Sequence, residues 1–168
     1  MSDEQYGLFF GIRRSIRYHD RRVAFYTGMH HLTGVLTVLL AGSVLFDVAR
    51  PGNNPSWLII LALLAAVLSA IDVVVGYAAK SGLHRDLKRD FNALEARIVL
   101  ETDGDWDQYR VERLRIEQNE PPIYQALDLL CHNEVLRSDG AEGKYYVTMT
   151  WWQQMTRHIF HWADLRVN

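Results

Sequence analysis

Three ionisable side chains, His30, His31 and Asp72, lie within the two most apolar stretches of this 168-residue sequence. A charged group at the centre of a membrane helix costs about 2.5–3.5 kcal/mol on insertion scales, so such residues usually face a partner or water. If each stretch is helical, His30 lies about 10 Å and Asp72 about 12 Å from the same end of a hairpin. We therefore predict that Asp72 contacts His30 or His31, within one chain or across a subunit boundary.

This predicted contact has two interpretations. In the first, the carboxylate and the imidazole form a proton-sensitive or ion-lining element, because histidine is the side chain that titrates near neutral pH. In the second, they form a hydrogen-bonded pair that only fixes the register of two helices.

The apolar stretches cover residues 23–46 and 57–79. Each is longer than the roughly 20 residues that a helix needs to cross the hydrocarbon of a bilayer. A helix that is apolar on every face must be buried, and a soluble chain of this length has little with which to cover two of them. Two spans are thus favoured over a buried soluble hairpin, and a second span so close to the first argues against a cleaved signal peptide. Proline, glycine and asparagine at 47–56 predict a tight turn, so the spans form an antiparallel hairpin.

Basic residues flank the two spans and predict their orientation, because cytoplasmic flanks carry an excess of lysine and arginine. The turn holds only Arg50, whereas the flank after the second span holds Lys80, Arg85, Lys88 and Arg89. Five arginines precede the first span: Arg13, Arg14, Arg17, Arg21 and Arg22. Both termini are therefore expected on the cytoplasmic side of a bacterial inner membrane.

The first 22 residues also carry an apolar stripe of Phe9, Ile12 and Ile16 at helical spacing. A basic amphipathic helix of this kind can lie in the lipid headgroup layer, with its arginines near anionic lipid. The alternative is a cytoplasmic extension of the first span that docks on the soluble helices.

Small residues recur at every fourth position in both spans, a spacing that lets helix backbones approach closely. One stripe is expected to serve the hairpin and the other a neighbouring subunit. Since two spans enclose no channel, any pore requires several copies. The stripes are Ala62, Ala66 and Ala70 in the second span and Thr33, Thr37 and Ala41 in the first.

The second half of the chain has a helical pattern throughout. An apolar stripe continues past the second span, which predicts one long helix with a bend at Gly82. Further helices are expected at 106–118, from Asn119 to about Ser138, and from about Thr150 to Leu165. The last would either pack on the long helix or contact the membrane surface. The stripe of the long helix consists of Leu83, Leu87, Phe91, Leu94 and Ile98.

These elements predict an all-α chain with three regions. Residues 1–22 form a basic amphipathic segment, residues 23–80 a transmembrane hairpin, and residues 81–168 a cytoplasmic helical domain. The long second helix passes from the hairpin into that domain.

Several functional classes have no sequence support. A net charge of −2 argues against nucleic-acid binding, and a single cysteine excludes an intrachain disulfide. Acidic residues at 103, 105 and 107 lack the downstream glycine and glutamate of a calcium loop. Cys131 and His132 are adjacent on a helix, so their side chains point apart. With no phosphate-binding loop, paired Cys-x-x-Cys or nucleophile elbow, we expect neither an enzyme nor a metal or other cofactor.

Over residues 13–100 the layout resembles the SLATT group of bacterial two-transmembrane effector proteins. The likeness rests on the sequence RYHDRR at residues 17–22, the two spans, and the helix over residues 83–98. The resemblance implies a role in antiviral or conflict systems, as an oligomer that permeabilises the inner membrane. No nucleotide sensor is fused to the chain, so a partner would have to supply the trigger.

The leading expectation is a homo-oligomeric inner-membrane protein that forms a pore or perturbs the bilayer, gated by its cytoplasmic helices. Its partners would then be membrane lipid and further copies of itself. The alternative is a non-conducting anchor or scaffold, or a regulatory subunit, that recruits a cytoplasmic protein.

Overall fold

The computed structural model describes residues 2–48, 56–101 and 104–162, and over these ranges it contains helices and no strand. Most of the predicted turn, Arg50 included, lies outside the described residues, as do Asp103 and the chain after Trp162. A short 3₁₀ turn lies at Gly143–Tyr145. The helices are α1 Asp3–Val48, α2 Trp57–Val75, α3 Tyr77–Leu100, α4 Trp106–Glu117, α5 Gln125–Ser138 and α6 Trp151–Thr156.

The chain divides into two compact units. One, the hairpin, comprises residues 23–82. The other, the helical module, comprises residues 1–22 and 83–168. Both α1 and α3 contribute residues to each unit.

The helical module has a core in which the first part of α1 packs against α3. Ile12 of α1 and Phe91 and Leu94 of α3 are completely buried, and Ile16 packs at the edge of the same cluster. Burying a side chain of this size contributes about 1.5–3 kcal/mol. The amphipathic segment thus packs Ile12 and Ile16 of its apolar stripe into the helical module, and these two side chains are not available to a headgroup layer.

The predicted stripe of α3 is correct at four of its five positions. Leu83 instead remains 42% exposed, and His84 occupies the inward position. The sequence predicts a bend at Gly82, but the break between α2 and α3 lies at Gly76. Gly76 has a φ of 66° and donates its backbone N–H to the carbonyl of Asp72. Because glycine adopts positive φ at little steric cost, it commonly ends a helix in this way.

The starts of α4 and α5 show how local chemistry sets helix boundaries. Asp105 begins α4 because its side chain accepts hydrogen bonds from the backbone N–H groups of Asp107 and Gln108. The prediction that the next helix starts at Asn119 is wrong, since α5 begins at Gln125. Pro121 and Pro122 carry no N–H, and proline disfavours helical geometry in the residue before it, so this stretch leads into the helix without joining it.

The last predicted helix is also shorter than expected. It begins with a capping box between Thr150 and Gln153 but ends at Thr156, and residue 165 lies outside the described chain. Trp152, Met155 and Ile159 are each more than half exposed, so they do not pack on the long helix. Short helices are unstable without tertiary packing, which explains the early end.

The strand-like residues 145–150 form no strand in the described chain. Val147 instead exchanges two hydrogen bonds with the side-chain amide of Asn133 on α5, at 2.7 and 2.8 Å. The amide supplies the donor and acceptor that a neighbouring strand would otherwise provide.

Contrasting substitutions in α3 test the packing of the module. We expect Phe91→Ala to destabilise it by about 3–5 kcal/mol, because the change opens a cavity in a closed core. The control, Leu83→Ala, should change stability by about 0.5 kcal/mol or less, since Leu83 is largely exposed. Thermal unfolding of the detergent-solubilised protein, followed by circular dichroism, measures both. Equal effects of the two substitutions would contradict the observed orientation of α3.

Candidate functional site

In the hairpin, His30 of α1 and Asp72 of α2 are in contact. The Nδ1 atom of His30 lies 3.0 and 3.1 Å from the two carboxylate oxygens of Asp72. His31 makes no contact with Asp72 in the described chain; it is exposed, and its ring lies beside that of His30. Of the two histidines that the sequence offered, His30 is therefore the partner.

The contact lies on the seam where α1 and α2 face each other. The inward residues of α2 are spaced alternately by three and four, as in a coiled coil: Leu58, Leu61, Ala65, Leu68 and Asp72. Those of α1 follow the same rule and include Tyr26, His30, Thr33 and Thr37. A second polar contact joins Thr27 and Ser81, whose hydroxyl oxygens are 2.8 Å apart.

The two small-residue stripes differ in their exposure at this seam. Thr33 is buried and Thr37 partly buried, so this part of the α1 stripe faces α2, whereas Ala41 is exposed. The α2 stripe of Ala62, Ala66 and Ala70 is exposed along its length. The buried alanine of α2 is Ala65, which the four-residue spacing did not identify.

The helical module contains a second polar cluster, which the sequence analysis missed. The Nδ1 atoms of His19 and His84 are 2.9 Å apart, and the Nε2 atom of His19 lies 3.0 Å from a carboxylate oxygen of Glu120. Both histidines are almost completely buried. The ring of Phe91 stacks on that of His19, with centroids 5.6 Å apart.

A buried arginine lies next to this cluster. Arg22 is 2% exposed, its guanidinium lies 4.2 Å from the ring centroid of Tyr124, and it donates a hydrogen bond to the carbonyl of His158. Burial, with smaller contributions from the neighbouring His19 and Arg22, lowers the pKa of His84 to about 3. Burial likewise lowers the pKa of His158 to about 4, with Arg157, Arg22 and Arg21 contributing. Both imidazoles are therefore neutral at neutral pH.

The hydrogen-bond pattern assigns proton positions in the cluster. An ionised carboxylate only accepts, so His19 donates its Nε2 proton to Glu120. The contact between the two Nδ1 atoms needs one proton, which either ring can supply. If His19 supplies it, His84 carries its own proton on Nε2 and accepts at Nδ1.

A signal for this cluster was present in the sequence. His19 follows Ile16 by three residues and His84 precedes Leu87 by three, so each histidine extends an apolar stripe at helical spacing. A stripe defined by apolar residues alone excludes both histidines. It ends at Ile16 in α1, and in α3 it contains Leu83 in place of His84.

The five N-terminal arginines mostly bind acidic groups of the helical module. Arg13 lies 2.7 Å from Asp139 and 3.5 Å from Glu95, and Arg14 lies 3.2 Å from Asp128. Arg21 pairs with Glu134, and Arg17 donates to the carbonyl of that residue. Arg22 is the buried cation described above. These partners occupy the guanidinium groups that were assigned to lipid headgroups, so that assignment has no support in the described chain.

Cys131 lies in a closed apolar cluster with Tyr18 and Leu127. Burial raises the pKa of its thiol to about 12, and the neighbouring carboxylate of Glu134 adds to this rise. A buried thiol that stays protonated is a poor nucleophile. In the part of the chain that the structure describes, no three histidine, cysteine or acidic side chains are grouped so that they could hold a metal ion.

Searches against protein-family models, curated proteins and solved structures find no match to this chain.

The buried histidines predict how the stability of the module depends on pH. A histidine whose pKa falls on folding binds its proton more readily in the unfolded chain, so stability is lost as pH decreases from about 6.5 towards 3. For one group the slope is at most about 1.4 kcal/mol per pH unit. We expect His84→Gln, which keeps a polar group but does not titrate, to reduce the fall in melting temperature between pH 7.5 and pH 5.

The exposed His31 provides the matched control, because His31→Gln should leave this pH dependence unchanged. Melting curves of the three proteins at both pH values measure the effect. An unchanged pH dependence in His84→Gln would show that His84 is not held neutral by burial.

Proposed function

We propose that this chain is a two-span membrane protein whose copies associate through the hairpin and together permeabilise or perturb the bilayer. The observation that carries the proposal is the His30–Asp72 pair, which remains 44% and 23% exposed on an otherwise apolar surface. Such a pair is costly against hydrocarbon. A second copy, or water enclosed by several copies, provides a suitable environment for it.

The exposed surface of the hairpin supports its location in lipid. Among the described residues, two helices are long and apolar enough to cross a membrane, and only 6% and 11% of their most apolar windows are buried. Leu63, Val73 and Val74 are among the large apolar residues left uncovered. The core helix of a soluble protein would be mostly buried, whereas a lipid-facing helix has this composition on its outer surface. The excess of basic residues in both flanks favours cytoplasmic termini and a cytoplasmic helical module.

The exposed alanines of α2 support association of copies. Ala62, Ala66 and Ala70 form a smooth face on the side of α2 away from the seam. In a bilayer, helices associate mainly by close packing of small residues and by polar contacts, because lipid is as apolar as leucine. The face and the polar pair are features of this kind.

The helical module provides the element through which we propose that the oligomer is controlled. Its His19–His84–Glu120 cluster joins α1 to α3, the two helices that also enter the hairpin. The likeness to SLATT effectors adds the proposal that a partner supplies the trigger, in a conflict or defence setting.

Cysteine crosslinking in membranes tests the association of copies. Because native Cys131 is buried, a cysteine introduced into α2 will dominate the oxidation. We expect Ala66→Cys to form a disulfide-linked dimer on mild oxidation and the neighbouring Ala65→Cys, which faces the seam, to remain monomeric. The absence of a dimer from Ala66→Cys would exclude this face as a contact between copies.

Ion flux through the protein in liposomes tests the proposed activity. We expect wild-type vesicles to release a trapped ion faster than empty ones, and Asp72→Ala to reduce the rate about tenfold or more, because an ionisable pathway residue is lost. Ser69→Ala, a polar change at an exposed position of the same helix, is the control.

Wild-type flux equal to that of empty vesicles would exclude the pore and favour the non-conducting anchor or scaffold. If flux and crosslinking both survive Asp72→Ala unchanged, His30 and Asp72 serve neither conduction nor assembly.

A further inference from the structure

We propose that residues 150–162, here called the aromatic segment, bind the surface of an anionic bilayer. Five large apolar side chains of this segment are each more than half exposed in the folded chain: Trp151, Trp152, Met155, Ile159 and Phe160. In the described chain outside the hairpin, this is the densest group of exposed large apolar residues. The inference goes beyond the proposed function, because it concerns a contact that the hairpin does not make.

The aromatic segment is a folded element. The capping box at Thr150 starts α6, and the Nε1 atom of Trp162 donates a hydrogen bond to the hydroxyl of Thr156, at 3.2 Å. The rings of Trp151 and Trp152 meet edge to face, with centroids 4.4 Å apart. These contacts hold a helical turn and a following bend, and they leave the apolar side chains outside.

The charge of this part of the chain identifies lipid as the occupant. Residues 143–163 contain no aspartate or glutamate, although the chain has 20 such residues. The only longer acid-free stretches are in the two spans. Arg157 supplies a positive charge within the segment. An acid-free segment with exposed tryptophan and a cation matches the interfacial layer of an anionic membrane, where tryptophan is favoured and basic residues are attracted.

Tryptophan fluorescence of the full-length protein in vesicles tests this contact. In the reporter variant, Trp57, Trp106 and Trp162 are replaced by phenylalanine, so only Trp151 and Trp152 emit. Lipids that carry bromine near the headgroup should quench this emission. The bound fraction should be larger in vesicles that contain phosphatidylglycerol than in phosphatidylcholine alone, with a preference of about fivefold per cation.

Two further reporters provide the controls. A variant that keeps only Trp106, which packs against the module core, should not be quenched by the brominated lipid. A variant that keeps only Trp57, at the start of α2, reports whether the hairpin is in the bilayer. Loss of quenching at Trp57 would contradict the proposed function, whereas loss at Trp151 and Trp152 alone would contradict only the present inference.

The double variant Trp151→Ser, Trp152→Ser in the otherwise native chain provides a second measurement that leaves the module core unchanged. It should lose the lipid-quenched emission that Trp151 and Trp152 contribute in the wild type and keep the part that Trp57 contributes. If Trp151 and Trp152 are quenched by aqueous acrylamide and not by lipid, the segment lies in water and the inference is wrong. If neither agent reaches them, a second copy or another protein covers the segment, and the inference is equally wrong.

Discussion

The hairpin leaves most of the apolar surface of its two helices uncovered. Its seam buries Leu58 and Ala65 but leaves most of the large side chains of α2 uncovered. In lipid these side chains would lose nothing by remaining outside, and the hydrophobic effect would not hold the two helices together. Close packing and polar contacts would then fix the helices: His30–Asp72 joins α1 to α2, and Thr27–Ser81 joins α1 to α3.

The helical module is stabilised in the opposite way. Its core is a conventional apolar cluster around Ile12, Phe91 and Leu94, and its N-terminal arginines are paired with carboxylates from α3 and α5. Exposed ion pairs contribute only about 0–1 kcal/mol each, so the core supplies the stability and the pairs select the orientation of α1. The same arginines still count towards membrane orientation, because that rule depends on lysine and arginine and little on nearby acids.

Sequence periodicity predicted the features that depend on residues close together in the chain, and depth along two antiparallel helices predicted the His30–Asp72 contact. Periodicity failed where contacts between distant parts of the chain decide the structure. The face of α2 that meets α1 includes Ala65, because the contacting residues of both helices are spaced alternately by three and four. The alanine stripe at every fourth residue carries no information about where α1 lies. The start of α5 depends on proline geometry, and the early end of α6 depends on the absence of a packing surface. The His19–His84–Glu120 cluster joins residues from three distant parts of the chain, so only the fold could bring them together.

The two histidine sites differ in how tightly their surroundings hold them. His30 is partly exposed and contacts the carboxylate of Asp72. His19 is buried, and its two ring nitrogens contact His84 and Glu120. Because the His19 ring also stacks on Phe91, it cannot move away from His84 without disturbing the core that joins α1 to α3. A change at this cluster therefore loosens the contact between α1 and α3 and not one side chain alone. Both helices continue into the hairpin.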